Sequence, residues 1–147
     1  MSIDLVEADK KQYLSLLLLA DEQEDMIDRY LEVGDFYVMK DDNEAVAVCV
    51  VTWQAAGILE IKNLAVRPDR QGQGLGKSML SFIEEKYGQE CSALQVGTGD
   101  SPLTVPFYEK CGFRYSHRKP GFFTENYDYP IYEAGVQLID MVYLRKQ

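Results

Sequence analysis

Residues Ala45 to Val51, AVAVCVV, carry no polar side chain and lie between two turn signals, Asp41-Asp42-Asn43-Glu44 and Gln54-Ala55-Ala56-Gly57. A half-solvated strand alternates polar and apolar side chains, so an uninterrupted run rich in valine reads as a strand covered on both faces. Such a strand belongs at the centre of a sheet, with helices packed against it. The composition supplies the material for that core: 46% of the 147 residues are hydrophobic and 12% aromatic. Disorder needs low hydrophobicity together with high charge and is excluded. The length fits one domain, residues 1–147.

The elements around the run follow from local signals. Ile3 to Glu7 reads as an edge strand, and Asp9 as the N-cap of a helix over Lys10 to Ala20. A second helix spans Gln23 to Val33, with Met26, Ile27, Tyr30 and Leu31 at helical spacing and Gly34 as its stop. Phe36 to Lys40 pairs with Ala45 to Trp53 as a hairpin. Ile58 to Val66 is the next strand, unusual in carrying the polar residues Glu60, Lys62 and Asn63. Leu75, Met79, Leu80, Phe82, Ile83 and Tyr87 then mark an amphipathic helix ended by Gly88. Cys91 to Gly97 forms a strand, Ser101-Pro102 opens a helix that runs to Cys111, and Phe113 to Arg118 and Gln137 to Tyr143 close the sheet. Between those last strands lies KPGFFTENYDYPIYEAG, too long for a hairpin turn.

Charge narrows the partners. A net charge of −9 argues against a general nucleic-acid binder and against an anionic membrane surface, because both need a basic face. It suits a cationic partner, or it serves solubility alone. The three cysteines, Cys49, Cys91 and Cys111, have no metal or redox spacing and read as buried thiols of a reducing cytoplasm; no metal site is expected. The N-terminus lacks the pattern of a secretory signal, and Leu16 to Ala20 is too short to span a bilayer.

The chemistry concentrates at Arg70-Gln71-Gly72-Gln73-Gly74-Leu75-Gly76-Lys77-Ser78, a glycine-rich turn between a strand and a helix. Such a turn aims unpaired backbone N–H groups and the positive helix end at an anion. It is not a Walker A loop, because Gln71 stands where that motif needs its first glycine. Nor is it the dinucleotide fingerprint, whose third glycine would fall on Lys77 or Met79. Gln71-x-x-Gly74-x-Gly76, inside NLAVRPDRQGQGLGKSML, resembles the pyrophosphate loop of the GCN5-related N-acetyltransferases (GNAT). Phe107-Tyr108-Glu109-Lys110-Cys111-Gly112-Phe113 resembles that superfamily's second signature, and the order of elements matches along nearly the whole chain.

The resemblance implies a mixed α/β (α+β) fold. Its central sheet is mostly antiparallel and flanked by helices, with two central parallel strands splayed apart. It also implies acetyl-CoA as co-substrate and direct transfer to a primary amine, without an acyl-enzyme. Gln71, Gly72, Gln73, Gly74, Gly76, Lys77 and Ser78 are then expected to hold the pyrophosphate. Leu64, Ala65 and Val66 are expected along the pantetheine arm, their backbone N–H groups facing the acetyl carbonyl. Tyr108 takes the position that contacts the cofactor sulfur and serves as general acid, with a core aromatic beside Phe107 as its competing reading, and Glu60 that of the carboxylate that receives the amine proton. An ion pair of Glu60 with Lys62 on the same strand face is the competing reading. Ser101 replaces the asparagine that often holds the arm.

The acceptor is less constrained. Phe122 to Glu133 carries aromatics with Glu125, Asp128 and Glu133, which suits the wall of a pocket for a small cationic amine. The same residues suit a secondary core or a homodimer contact. Protein N-termini or lysines as acceptors, and a non-catalytic acyl-CoA-binding module, stand as alternatives.

Overall fold

The computed structural model describes residues 1–147, which form two compact units, Met1–Ser92 and Ala93–Gln147. In the first, β1 (Ser2–Val6), β2 (Asp35–Asp41), β3 (Glu44–Trp53) and β4 (Ile58–Val66) make an antiparallel sheet in that order. Val46 to Val51 of β3 are at most 1% exposed, as expected of a strand covered on both faces. The β2–β3 connection is tight because Asp42 and Asn43 both adopt positive φ, 51° and 66°, the geometry of a type I′ hairpin.

One face of this sheet is covered by α1 (Leu14–Ala20) and α2 (Glu24–Asp28). Leu16, Leu17, Ile27, Tyr30 and Leu31 pack there against Phe36, Val38, Val48, Val50 and Ala65. The other face is covered by α3 (Leu75–Tyr87), where Phe82 and Tyr87 meet the ring of Tyr37 edge-on at 5.1 and 6.3 Å. Alternation along β2 sends Phe36 and Val38 to one side and Tyr37 to the other.

Both expected N-terminal helices are shorter than their periodicity predicts. Asp9 takes a left-handed conformation, φ 53°, and its side chain caps nothing; Lys10–Tyr13 form a 3-10 turn, and α-helix begins at Leu14. The buried Lys10 side chain reaches back instead, its Nζ donating to the carbonyls of Leu31, Glu32 and Gly34 at 2.9, 3.4 and 3.1 Å. Those carbonyls follow α2, whose regular part stops at Asp28 and continues to Gly34 as successive turns. Gly34 is needed for close approach, since a Cβ there would lie 2.7 Å from Val50 Cγ1.

The second unit holds β5 (Ala93–Gly99), α4 (Val105–Lys110), β6 (Arg114–Lys119), α5 (Phe122–Asn126), the two-residue strands β7 (Tyr132–Glu133) and β8 (Val136–Gln137), and β9 (Met141–Lys146). β9 pairs antiparallel with both β5 and β6. The closing strand thus begins at Met141, not Gln137. The long aromatic segment is ordered as α5 followed by the β7–β8 hairpin. Phe123, Ile131 and Leu138 form a small core, joined by Phe122, Tyr127 and Met141. No helix is long and apolar enough to cross a membrane.

Candidate active site

β4 carries the polar residues that interrupted its hydrophobic pattern, and a bulge explains their placement. Val51 pairs with Ile61 and Val50 with Asn63, so Lys62 has no partner on β3. An extra residue of this kind bends a strand and re-aims its side chains. Glu60 is 5% exposed, and its Oε2 accepts a 2.8 Å hydrogen bond from Lys62 Nζ. The expected ion pair on one strand face is therefore present. The same ammonium stands 5.8 Å from the centroid of the Tyr30 ring.

Tyr30 ties this pair to the helical layer. Its hydroxyl donates to Asp21 Oδ2 at 3.1 Å and accepts from Asn63 Nδ2 at 3.1 Å, while Asn63 Nδ2 also donates to the Leu17 carbonyl at 2.9 Å. Burial, reinforced by the Asp21 charge, raises the phenol well above its ordinary range, so Tyr30 stays protonated and keeps that donor role. Asn63 is 3% exposed, yet its Oδ1 has no hydrogen-bond partner. Tyr30 was not legible as a member of this cluster from helical spacing alone. The signal that could have found the cluster was Asn63, a polar residue in a strand that needs apolar ones.

Downstream of β4 the chain enters the glycine turn. Gln71 Nε2 donates to the Val66 carbonyl at 3.1 Å, fixing the turn to the end of the strand. Gly72 and Gly74 have φ of 77° and 81°, and nothing lies within 4 Å of a Cβ built on either. They leave an open backbone surface at the start of α3. No side chain caps that helix, no acidic residue lies in its first turn, and the exposed Lys77 sits there instead. A cation at a helix N-terminus opposes the macrodipole; the arrangement suits an external anion that satisfies both the N–H groups and the ammonium. Ser78 is exposed beside it. The nearby guanidiniums are already engaged, Arg67 with Asp69 and Glu44 at 2.6 and 3.5 Å, and Arg70 with Asp41 at 2.9 Å. The residues of this turn therefore fit a polyanionic group through backbone and Lys77, with the arginines as scaffold.

Leu64, Ala65 and Val66 pair with Cys49, Val48 and Ala47 on β3. Cys49 is fully buried, and burial pushes its thiol up to about 12, far from a reactive thiolate. In the second unit, Tyr108 lies on α4, 7% exposed, edge-on to Phe107 at 5.0 Å and Phe113 at 5.6 Å. Ser101 corrects the expectation of a helix N-cap. The helix begins at Val105, and Ser101 Oγ instead accepts from the Leu103 N–H at 3.1 Å and donates to Glu133 Oε1 at 3.0 Å. Its single proton is thus committed within the protein. Glu133 is correspondingly occupied, and Phe122, Phe123 and Tyr127 are spent on the small core. Tyr129 and Tyr132 remain exposed. His117 stacks on Tyr143 at 4.6 Å on an exposed strand, as a surface residue.

The chain is similar to known proteins over nearly its whole length. A model of the acetyltransferase (GNAT) domain matches residues 32–115. The uncharacterized N-acetyltransferase YvbK of Bacillus subtilis is 36% identical over 98% of this chain and 94% of its own length. A GNAT family acetyltransferase from Elizabethkingia anophelis, solved with acetyl-CoA bound, is 35% identical, superposes with a TM-score of 0.92, and covers 98% of this chain and 95% of its own. A Bacillus subtilis acetyltransferase solved in complex with CoA is 36% identical with a TM-score of 0.87, covering 97% and 95%. A mixed α/β fold of mostly antiparallel strands, a buried carboxylate on β4 and an open glycine turn after it thus occur together with these similarities, and the chain belongs to the GNAT family of N-acetyltransferases.

Proposed function

We propose that the chain, acting as one domain over residues 1–147, transfers an acetyl group from acetyl-CoA directly to the primary amine of a small cationic molecule in the cytoplasm. The observation that carries the reading is the pairing, along one strand and its continuation, of the buried Glu60 carboxylate with the open turn at Gly72 and Gly74. Acetyl-CoA, when bound, supplies an activated acyl thioester.

The chain's own groups supply the rest. Backbone N–H groups of Gln71, Gly72, Gln73, Gly74, Gly76 and Lys77 hold the pyrophosphate, with the Lys77 ammonium and Ser78 hydroxyl adding charge and a hydrogen bond. The backbone of Leu64, Ala65 and Val66 pairs with the amide-bearing arm much as an added strand would, and donates to the acetyl carbonyl oxygen. Ser101, its hydroxyl hydrogen bond already donated to Glu133, contributes to the arm only as an acceptor. An alkylammonium has a pKa of about 10.4 and must lose a proton before it attacks. Glu60 takes that proton. Tyr108, a phenol, gives a proton to the departing thiolate.

The cationic preference rests on the polar cluster beneath α1 and α2, where Glu60, the Tyr30 ring and Asp21 create negative potential inside a chain of net charge −9. A panel of amines monitored for CoA thiol release tests the proposal. Polyamines, amino sugars and amino-acid derivatives should release thiol faster than neutral or anionic amines. Release with lysine-bearing or N-terminal peptides alone would overturn the small-molecule assignment. Acetyl-CoA should also raise the thermal midpoint, whereas ATP at equal concentration should not.

A further inference from the structure

We propose that Lys62 is a built-in occupant of the subsite that receives the acceptor's ammonium group, and that it sets the affinity for cationic acceptors by competing with them. The inference rests on the proposed role of Glu60 and extends it to the group that meets Glu60 first.

A site for an alkylammonium needs a carboxylate, an aromatic face and shelter from water. All three surround Lys62 Nζ: Glu60 Oε2 at 2.8 Å, with a side chain 7% exposed, and the Tyr30 ring centroid at 5.8 Å. The walls are rigid. Tyr30 is held at its hydroxyl by Asp21 and by Asn63, and Asn63 is held to the Leu17 carbonyl. The occupant is not. The Lys62 side chain is 31% exposed, sits on the bulge without a partner on β3, and has a flexible stem that can carry its ammonium outward into water.

An arriving ammonium and Lys62 therefore offer Glu60 Oε2 the same charge and the same kind of hydrogen bond, and compete for it. Displacement of Lys62 exchanges one ion pair for another, so the acceptor pays back in affinity what the lysine already supplied. Asn63 Oδ1, buried without a partner, adds a second acceptor on the same strand for N–H groups brought in by the ligand. A neutral residue at 62 removes the competing ammonium from Glu60 Oε2, and tightens binding of cations selectively.

The test is isothermal titration of the CoA complex with 1,4-diaminobutane, using the wild-type chain, Lys62→Met, Lys62→Arg and the double variant Glu60→Gln/Lys62→Met. Lys62→Met should bind the diamine about fivefold more tightly, the affinity equivalent of roughly 1 kcal/mol, which is the upper range for a partly exposed ion pair. Lys62→Arg keeps an occupant and should match wild type, and the double variant should lose the gain. A purely structural Lys62 predicts weaker or unchanged binding in Lys62→Met, and either result overturns the proposal. Lys62→Gln replaces Lys62→Met if the latter fails to fold, with the same expected direction. Failure of every amine to release CoA thiol from the wild-type enzyme would refute the acetyl-transfer reading instead, because the titration measures affinity without turnover.

Discussion

Two tyrosine–carboxylate networks lie on opposite faces of the β1–β4 sheet. On the α3 side, Tyr87 donates to Asp35 Oδ2 at 2.6 Å, so the 2.6 Å contact between the Tyr37 and Tyr87 hydroxyls runs from Tyr37 to Tyr87. The Trp53 ring packs edge-on against Tyr87 at 6.1 Å. Each hydroxyl proton in that network has an acceptor. On the α1–α2 side, Tyr30, Asp21 and Asn63 form a similar chain, but Asn63 Oδ1 is left over and the neighbouring Glu60 carboxylate holds the part-exposed Lys62 ammonium. Buried polar groups are normally satisfied, and a closed network stiffens a fold. The leftover acceptor and the part-exposed cation set this second network apart from the closed one.

That contrast can be broken by substitution, and the largest effect belongs to Glu60. Glu60→Gln should lower turnover at neutral pH by about 10²-fold, the usual worth of a general base, while acetyl-CoA affinity from thermal shift stays unchanged. Tyr108→Phe should lower turnover by a comparable or somewhat smaller factor, again with cofactor affinity retained; an unchanged rate removes Tyr108 from the mechanism. Tyr87→Phe belongs to the closed network and should behave oppositely. It should cost about 1–3 kcal/mol in denaturant unfolding, because Asp35 and Tyr37 lose their partner, with kcat unaltered. A fall in kcat there would erase the distinction between the two faces. Gly74→Ala should destabilise the chain by about 1 kcal/mol, since alanine resists φ near 81°, and should weaken acetyl-CoA binding further because the methyl stands on the open face of the turn.

The smallest effect is shared. Burial holds Tyr30, Tyr37 and Tyr87 above the ordinary phenol range. Their folded-state pKa exceeds the unfolded value of about 10, so their contribution to stability is full below that pH and declines as pH rises beyond it. Thermal midpoints measured across the alkaline range should fall for wild type, and less steeply for Tyr87→Phe.

The sequence was most informative where local pattern and final environment agree. Ile58–Val66 is a strand over the predicted residues, Val46–Val51 is buried on both faces, and the glycine turn opens α3 where the motif placed it. Tertiary contacts decided the rest. Asp9 was read as a cap, but Lys10 is drawn to three carbonyls more than twenty residues away, which shortens α1. Ser101 was read as a cap of α4, but its hydroxyl donates a hydrogen bond to Glu133. Neither partner is visible to a local rule. The aromatic segment Phe122–Glu133 offered three readings, and a small core accounts for Phe122, Phe123 and Tyr127. In the candidate site, Glu60 stood out because charge in a buried strand is costly, whereas Tyr30 looked like any core aromatic until its hydroxyl was seen between Asp21 and Asn63.

The central claim is that Glu60 receives the proton of the acceptor amine. The direct measurement is the pH dependence of kcat/KM for a turned-over primary amine, wild type against Glu60→Gln. The account predicts that the variant regains rate only as pH approaches the amine's own pKa, about 10.4, where the acceptor is already neutral. A variant profile that superimposes on wild type would contradict it and leave Glu60 as no more than the partner of Lys62.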